Sequence, residues 1–119
     1  MKILYIDDNQ LNLRLVQKML RQHEVITCLS GTRGIKLAYQ EKPDLVLLDI
    51  NMDEVDGFKV LNMIRANPSL KNLPVIAVTA NAMHGDREHI LSAGFNGYVA
   101  KPITRIELNN TIRHAMAQV

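Results

Sequence analysis

The sequence predicts an α/β domain in which β-strands alternate with α-helices around a parallel sheet. Short apolar runs alternate five times with segments whose apolar residues recur at helical spacing. The runs around Leu47 and Ile76 are apolar almost throughout, which is typical of parallel strands buried on both faces. The length of 119 residues suits one domain over residues 1–119 and is too short for two.

The first half of the chain contains three predicted strands and two predicted helices. In chain order they are strand Lys2–Ile6, helix Gln10–Gln22, strand Glu24–Leu29, a helix that Ser30 caps and that runs to about Glu41, and strand Leu45–Leu48. The first helix is indicated by apolar residues at helical spacing, namely Leu11, Leu15, Val16, Met19 and Leu20. Pro43 ends the second helix and leaves room for the third strand.

The second half is predicted to repeat this pattern twice. In chain order it contains a helix capped by Asp56 and stopped by Pro68, strand Val75–Val78, helix Met83–Ala93 ended by Gly94, strand Tyr98–Ala100, and a last helix that Thr104 caps. Glu107 stands three residues after Thr104, as in a capping box. The last helix carries Ile106, Leu108, Ile112 and Met116.

Composition excludes several classes of function. The net charge of +2, with no basic run and no tryptophan, gives no sign of direct nucleic-acid binding. The single cysteine, Cys28, excludes an internal disulfide and is expected to pack as a small hydrophobic residue. No apolar run approaches the length of about 20 residues that spans a bilayer, and acids stand where a signal peptide would be apolar. We therefore expect no membrane association and a cytoplasmic location.

Polar side chains follow the predicted strands at the point where each strand ends. Asp7 and Asp8 follow the first strand, Asp49 follows the third, Thr79 the fourth and Lys101 the fifth. Ligands of open α/β sheets bind outside the carboxyl ends of the strands, so these side chains are expected to meet at one edge. Singly, the acids could cap a helix and Lys101 could be an exposed surface lysine; the functional prediction depends on the joint pattern.

Three carboxylates that converge at one edge repel each other and need cations nearby. Lys101 supplies one positive charge, and a hard divalent metal such as Mg²⁺ suits the remaining oxygen ligands. A phosphoryl donor could then be oriented against a carboxylate, with the metal, an ammonium and a hydroxyl stabilising its charge. Asp49 is the predicted nucleophile because its strand is central and the others flank it.

The chain resembles the receiver domains of bacterial response regulators over its whole length. The matching segments are Ile6–Asn9, Pro43–Met52, Asp56–Gly57, Val78–Ala80, Ala93–Gly94 with Tyr98, and Lys101–Pro102. The resemblance implies a flavodoxin-like, doubly wound five-stranded sheet with strand order 2-1-3-4-5, and a cis peptide bond between Lys101 and Pro102. It also implies a Mg²⁺ (or Mn²⁺) cofactor and a role in two-component or phosphorelay signal transduction.

The resemblance further implies a role for each matching residue. Asp49 would be the phosphoacceptor; Asp8, Asp49 and the backbone carbonyl of Asn51 would bind the metal, and Asp7 would assist through water. Lys101 would pair with the phosphoryl group or with unphosphorylated Asp49. Thr79 would move to bond the phosphoryl group as Tyr98 turns inward, and Ala80 and Asn81 would modulate the site. The residues to which the resemblance assigns a role are Asp7, Asp8, Asp49, Asn51, Thr79, Ala80, Asn81, Tyr98 and Lys101.

The implied partners are a histidine kinase or a histidine phosphotransfer protein, and an unspecified output partner at the face built by the last two helices and the strand between them. The domain would catalyse only its own phosphoryl transfer and dephosphorylation. The segment Asp7–Asn9 together with Asn12 is similar to receivers of hybrid kinases and phosphorelays, so a stand-alone protein and a piece of a longer one both stay open. The loop Asp53–Gly57 departs from the family by being more acidic than usual.

Two other functions stay open at this point. A metal-dependent phosphohydrolase with an aspartyl-phosphate intermediate resembles this pattern, but it carries a second acid two residues after its nucleophile, where this chain has Asn51. A binding module that is independent of phosphorylation would be expected to lack a site residue, and none is missing. A flavin carrier would need a hydroxyl-rich loop after the first strand instead of Asp7–Asn9. The four histidines, His23, His84, His89 and His114, lack ligand spacing with the acids and are expected at the surface or rim.

Overall fold

The computed structural model describes residues 1–52, 55–80 and 84–118, without the side chains of residues 84 and 85. Strands and helices alternate strictly along the chain. The ten elements are β1 (Lys2–Ile6), α1 (Gln10–Met19), β2 (Glu24–Cys28), α2 (Gly31–Glu41), β3 (Leu45–Asp49), α3 (Gly57–Ala66), β4 (Val75–Thr79), α4 (His84–Ser92), β5 (Gly97–Ala100) and α5 (Arg105–Met116). The predicted α/β class is confirmed.

The five strands form one parallel sheet in the order β2-β1-β3-β4-β5. The strand order that the resemblance implied is therefore also confirmed. In this order β1 and β4 flank β3, and the register aligns Ile6 with Leu48 and Asp49 with Val78. The ends of β1, β3 and β4 thus meet at one edge of the sheet, which brings Asp7, Asp49 and Thr79 together.

Each face of the sheet is covered by its own group of helices. Alternate strand residues face opposite sides, so Leu4 and Ile6 pack with α2, α3 and α4, whereas Ile3 and Tyr5 pack with α1 and α5. Strands β3 and β4 are buried at every residue, which explains why both runs are apolar. The core therefore lies in two layers, and the carboxyl edge of the sheet lies between them.

The N-cap residues predicted from the sequence correctly located the starts of three helices. The side chains of Ser30, Asp56 and Thr104 each accept a hydrogen bond from the backbone N–H three residues on, at the starts of α2, α3 and α5. Gly94, just past α4, has a φ of +114°, a conformation that glycine adopts without steric cost. Met83, the predicted first residue of the fourth helix, lies outside the described residues.

Helix α1 differs from its prediction in length and in orientation. It ends at Met19 instead of Gln22, because Leu20 leaves helical geometry and the chain turns into β2. Its buried residues are Leu13 and Val16, and Leu20 just beyond its end is buried too, whereas Leu11 is 73% exposed. Leu15 is exposed as well, so the apolar spacing predicted the helix correctly but did not identify which side is buried.

Candidate functional site

The carboxyl edge of the sheet holds an acidic cluster made of Asp7, Asp8 and Asp49. Each of these residues offers a carboxylate oxygen, and the three oxygens lie within 4.8 Å of one another. Asp7 and Asp49 are buried, whereas Asp8 is exposed. Oxygen ligands at this spacing, with one side open to solvent, fit a hard divalent cation that keeps several of its waters.

Asp7 is held in place by three hydrogen bonds. The Tyr5 hydroxyl donates to Oδ2 at 2.6 Å and the Asn12 amide donates to the same oxygen at 3.3 Å. The backbone N–H of Asn9 donates to Oδ1 at 2.9 Å. Both oxygens of Asp7 are thus already accepting hydrogen bonds, which fits a contact to a metal through water better than a direct bond. Asn9 itself, rather than an aspartate, caps α1.

Asp49 is almost completely buried, as Asp7 is. It is 1% exposed, its Oδ1 accepts the backbone N–H of Asn51 at 3.0 Å, and its Oδ2 lies 3.4 Å from the Lys101 ammonium. Burial raises the pKa of the Asp49 carboxyl, the Asn51 N–H lowers it, the negative charge of Asp7 raises it and the charge of Lys101 lowers it, with a raised value as the outcome.

Lys101 forms ion pairs with both buried acids, Asp7 and Asp49. Its ammonium lies 3.4 Å from Asp49 Oδ2 and 3.7 Å from Asp7 Oδ2. The residue follows β5 and precedes Pro102 through a cis peptide bond, as the resemblance implied. One ammonium faces two buried carboxylates here, so the pair of acids keeps an excess negative charge that a cation would offset.

Thr79, Ala80 and Asn51 form the rim beside Asp49. Thr79 is 1% exposed at the end of β4, and its hydroxyl donates to Asn51 Oδ1 at 3.4 Å. The backbone N–H of Ala80 donates to the same oxygen, also at 3.4 Å. Asn51 and Ala80 are both exposed. The predicted modulating residue Asn81 lies outside the described residues, as do Asp53 and Glu54 of the acidic loop.

Tyr98 lies on β5 and is half-buried. Its ring packs against the core layer of α2, α3 and α4, and the guanidinium carbon of Arg87 lies 5.7 Å from its centroid. That distance is within the range of a cation–π contact. Tyr98 also lines an open groove between α4 and α5, together with Glu107 and His114.

Among the described side chains, no histidine belongs to the candidate metal ligands. The amino group of Met1 donates a hydrogen bond to His23 Nδ1 at 3.1 Å, and exposed His89 packs against the Phe58 ring. His114 is exposed on α5. Cys28 is buried and donates to the Ser30 carbonyl at 3.2 Å, as expected of a small packed residue.

Two residues that support Asp7 were not singled out from the sequence as site residues. Tyr5 reads as one more apolar residue of β1, and Asn9 reads as part of the turn that follows. A usable signal did exist for Tyr5: it stands two residues before Asp7, so both side chains point to the same face of an extended chain. Burial and the hydrogen bond to Asp7 raise the pKa of Tyr5, so it stays a neutral donor.

Comparison with known proteins identifies the same kind of domain. Residues 3–113 match the response regulator receiver domain family. The polar-differentiation response regulator DivK of Brucella ovis is 37% identical over 113 residues, which cover 93% of this chain and 92% of that protein. No described helix is both long enough and apolar enough to cross a membrane.

Solved structures show the same fold. The receiver domain of a sensor histidine kinase from Pseudomonas aeruginosa, solved with a magnesium ion in its active-site cleft, has a TM-score of 0.87 at 35% identity and covers 98% of this chain and 97% of its own. The chemotaxis protein CheY4 of Vibrio cholerae has a TM-score of 0.88 at 23% identity, covering 96% of this chain and 97% of its own. At that identity the second likeness concerns the fold alone.

Proposed function

This chain belongs to the response regulator receiver family of phosphorelay signalling, and from that membership we propose that Asp49 accepts a phosphoryl group from a phosphohistidine. The observation that carries the proposal is the position of Asp49. It is a buried carboxylate at the carboxyl edge of the central strand, 3.4 Å from the Lys101 ammonium and within 4.8 Å of two further acids.

The proposed reaction moves one phosphoryl group between two side chains. A carboxylate oxygen of Asp49 attacks phosphorus, the new P–O bond forms, and the P–N bond to the donor imidazole breaks. The bonding electrons stay with the imidazole nitrogen, which takes up a proton. Asp49 must be ionised to attack, and Lys101 at 3.4 Å together with the Asn51 N–H at 3.0 Å supports the ionised form.

The acidic cluster would hold Mg²⁺, or Mn²⁺ in its place. Asp8 and Asp49 would supply carboxylate oxygens, Asn51 its backbone carbonyl, and Asp7 would contribute through water. When bound, the metal would supply positive charge against the phosphoryl oxygens. The chain's own residues would do the rest: Lys101 pairs with the phosphoryl charge, and the Thr79 hydroxyl donates to a phosphoryl oxygen.

The phosphoryl donor would be a histidine kinase or a histidine phosphotransfer protein. The output would be a changed surface on α4, β5 and α5, with Thr79 and Tyr98 as switch residues and Ala80 and Asn81 as modulators. The domain would turn over no external substrate. Hydrolysis of an external phosphate ester is disfavoured because Asn51 offers no acidic proton to a leaving group. The cytoplasmic location stays a prediction.

Intact-protein mass measured after incubation with acetyl phosphate and Mg²⁺ tests the proposal. We expect the wild type to gain one phosphoryl group, and to gain none with EDTA present from the start. Asp49→Asn should gain none. Asp44→Asn is the matched control, because Asp44 precedes the same strand at the opposite edge of the sheet and is exposed; it should behave as the wild type does.

Two results would contradict the assignment. One is a phosphoryl gain that persists in Asp49→Asn, which would move the acceptor elsewhere. The other is a wild type that gains nothing from either acetyl phosphate or a phosphorylated histidine kinase, which would leave a binding module that works without phosphorylation.

A further inference from the structure

We propose that the Tyr5 hydroxyl is a positioning group of the cation site, and that it makes the site favour Mg²⁺ over Ca²⁺. The hydroxyl occupies one carboxylate oxygen of Asp7 and thereby keeps both oxygens of Asp7 from binding a cation together. The inference rests on the proposed function, because it concerns the cation that the acidic cluster would hold. Tyr5 lies beneath that cluster and is not itself a ligand.

Tyr5 is held beneath Asp7 by the sheet. The extended backbone of β1 continues through Asp7, whose N–H donates to the Cys28 carbonyl of β2 at 3.0 Å. Side chains two residues apart in an extended chain point to the same face, so Tyr5 and Asp7 share one. The Tyr5 ring is fully buried in the core layer of α1 and α5. Its hydroxyl therefore meets the Asp7 carboxylate inside the protein and not at the surface.

The bond between the Tyr5 hydroxyl and Asp7 Oδ2 is short. Its length of 2.6 Å is typical of a hydroxyl that donates to an ionised carboxylate. The Asn12 amide donates to the same oxygen at 3.3 Å, and the Lys101 ammonium lies 3.7 Å from it. With these three groups around it, Oδ2 has little remaining capacity to bind a cation.

The other oxygen of Asp7 is engaged as well. Oδ1 accepts the backbone N–H of Asn9 at 2.9 Å, so Asp7 would bind a cation with both oxygens only after a bond to Oδ2 is given up. Ca²⁺ takes about six to eight oxygen ligands in flexible geometry and accepts carboxylates through both oxygens, whereas Mg²⁺ gives up its waters reluctantly and keeps several. An occupied Oδ2 therefore costs Ca²⁺ a ligand that Mg²⁺ does not need.

The test compares Tyr5→Phe with the wild type. Phenylalanine keeps the ring in the core and removes only the hydroxyl. Both metal-free proteins are titrated with MgCl₂ and with CaCl₂, and the shifts of the backbone amides in NMR spectra give the two affinities. We expect the affinity for Ca²⁺ to rise about threefold to tenfold, as for the loss of one competing hydrogen bond. The affinity for Mg²⁺ should change by less than about twofold.

Tyr39→Phe is the matched control. It makes the same substitution at an exposed tyrosine of α2, and it should keep both wild-type affinities. Asn12→Ala is a second test variant, because it removes the longer bond to the same Oδ2 from a half-buried position on α1. It should raise the ratio of the Ca²⁺ affinity to the Mg²⁺ affinity by a smaller factor than Tyr5→Phe does.

The ratio of the two affinities decides the role of Tyr5. An unchanged ratio in folded Tyr5→Phe would overturn it, and so would an equal loss of affinity for both ions, which indicates a structural role alone. If Tyr5→Phe does not fold, an unchanged ratio in Asn12→Ala would overturn the role instead.

The proposed function fails in a different way. A wild type that binds neither ion would overturn the proposed metal site and the role of Tyr5 with it. A wild type that binds Mg²⁺ and gains a phosphoryl group, beside an unchanged ratio in Tyr5→Phe, would overturn the role of Tyr5 alone.

Discussion

At the scale of single residues, the site buries charged side chains, and their burial lowers the stability of the folded protein. Asp49 is 1% exposed and faces the charge of Asp7 as well as that of Lys101. Burial of a carboxylate is unfavourable unless cations and hydrogen bonds compensate it fully. The raised pKa of Asp49 indicates that the compensation is incomplete, as expected of a site that binds a cation.

We therefore expect Asp49→Asn to stabilise the metal-free protein. The amide has the shape of the carboxylate and still accepts the Asn51 N–H, whereas the buried charge is gone. The gain should be about 1 kcal/mol, or a rise in Tm of about 4 °C for a domain of this size. Thermal unfolding in EDTA measures it. Added Mg²⁺ should narrow the difference, because it stabilises the wild type by binding; a variant that melts below the wild type in EDTA would contradict the argument.

The difference in Tm between Asp49→Asn and the wild type should depend on pH. In the unfolded chain Asp49 titrates near its ordinary pKa of about 3.9, and in the folded protein the pKa is raised. Above the folded pKa the wild type carries the full penalty of a buried charge. As the pH falls through the folded value towards the unfolded one, Asp49 takes up a proton and the penalty disappears. The advantage of Asp49→Asn in Tm should shrink accordingly between neutral pH and about pH 4.

The residues of the site were predictable to different degrees. Asp7, Asp49 and Thr79 could be brought together from sequence because each marks a strand end, and parallel strands end at one edge. The metal and the nucleophilic role of Asp49 were predicted from the residues and the finer roles from the resemblance, and all of these roles stay predictions. The hydrogen bonds from Asn12 to Asp7 and from Thr79 to Asn51 could not be predicted, because they depend on side-chain directions that periodicity does not determine.

At the scale of elements, the start of α3 determines how closely a helix approaches the site. The backbone N–H of Gly57 donates to the Ile50 carbonyl at 3.4 Å. A Cβ atom at Gly57 would lie 2.6 Å from Ile50 Cα and 2.9 Å from the Asp49 carbonyl oxygen. Both contacts are to backbone atoms, so no rotation of a side chain can relieve them.

We expect Gly57→Ala to destabilise the protein by about 1–3 kcal/mol, as overpacking does. Because the strained contact includes Asp49, the variant should also bind Mg²⁺ more weakly and accept a phosphoryl group more slowly. Urea unfolding and Mg²⁺ titration measure the two effects. The control is Gly97→Ala, whose added Cβ would meet Thr111 Cγ2 at 3.1 Å, an atom of a side chain. Equal Mg²⁺ affinity in Gly57→Ala and the wild type would contradict the link to Asp49.

Element boundaries show what local sequence can and cannot predict. Ser30, Asp56 and Thr104 cap helices as predicted, because a cap depends only on the next three residues. The early end of α1 was missed, because the turn at Leu20 is imposed by the path into β2 and not by a local breaker. Likewise, the exposure of Leu11 and Ile106 depends on where other elements pack.

At the scale of the whole molecule, the edge of the sheet at the carboxyl ends of the strands and the edge at their amino ends have different roles. The carboxyl edge carries the polar cluster, and the opposite edge is closed by hydrogen bonds. Strand order decides which residues share an edge, and it could not be derived from periodicity; only the resemblance supplied the order that the structure has. The opposite edge should therefore affect stability without affecting phosphoryl transfer.

Arg65 offers a direct test of this division. Its guanidinium, at the end of α3, donates to the carbonyls of Lys71 and Leu73 before β4, and to the Gly94 carbonyl and Asn96 side chain before β5, at distances from 2.6 to 3.2 Å. Burial lowers the pKa of Arg65, yet a guanidinium stays charged at any ordinary pH. One planar group thus ties together one helix and the entries of two strands.

We expect Arg65→Lys to lower the free energy of unfolding by about 2 kcal/mol, because an ammonium cannot reach all four acceptors and leaves some of them unpaired. Urea unfolding measures the loss, and exposed Arg21→Lys is the control, with an expected change of less than about 0.5 kcal/mol. At a temperature where both variants are folded, each should accept a phosphoryl group from acetyl phosphate at the wild-type rate. A slower rate in folded Arg65→Lys would mean that the two edges of the sheet are coupled, contrary to the division proposed.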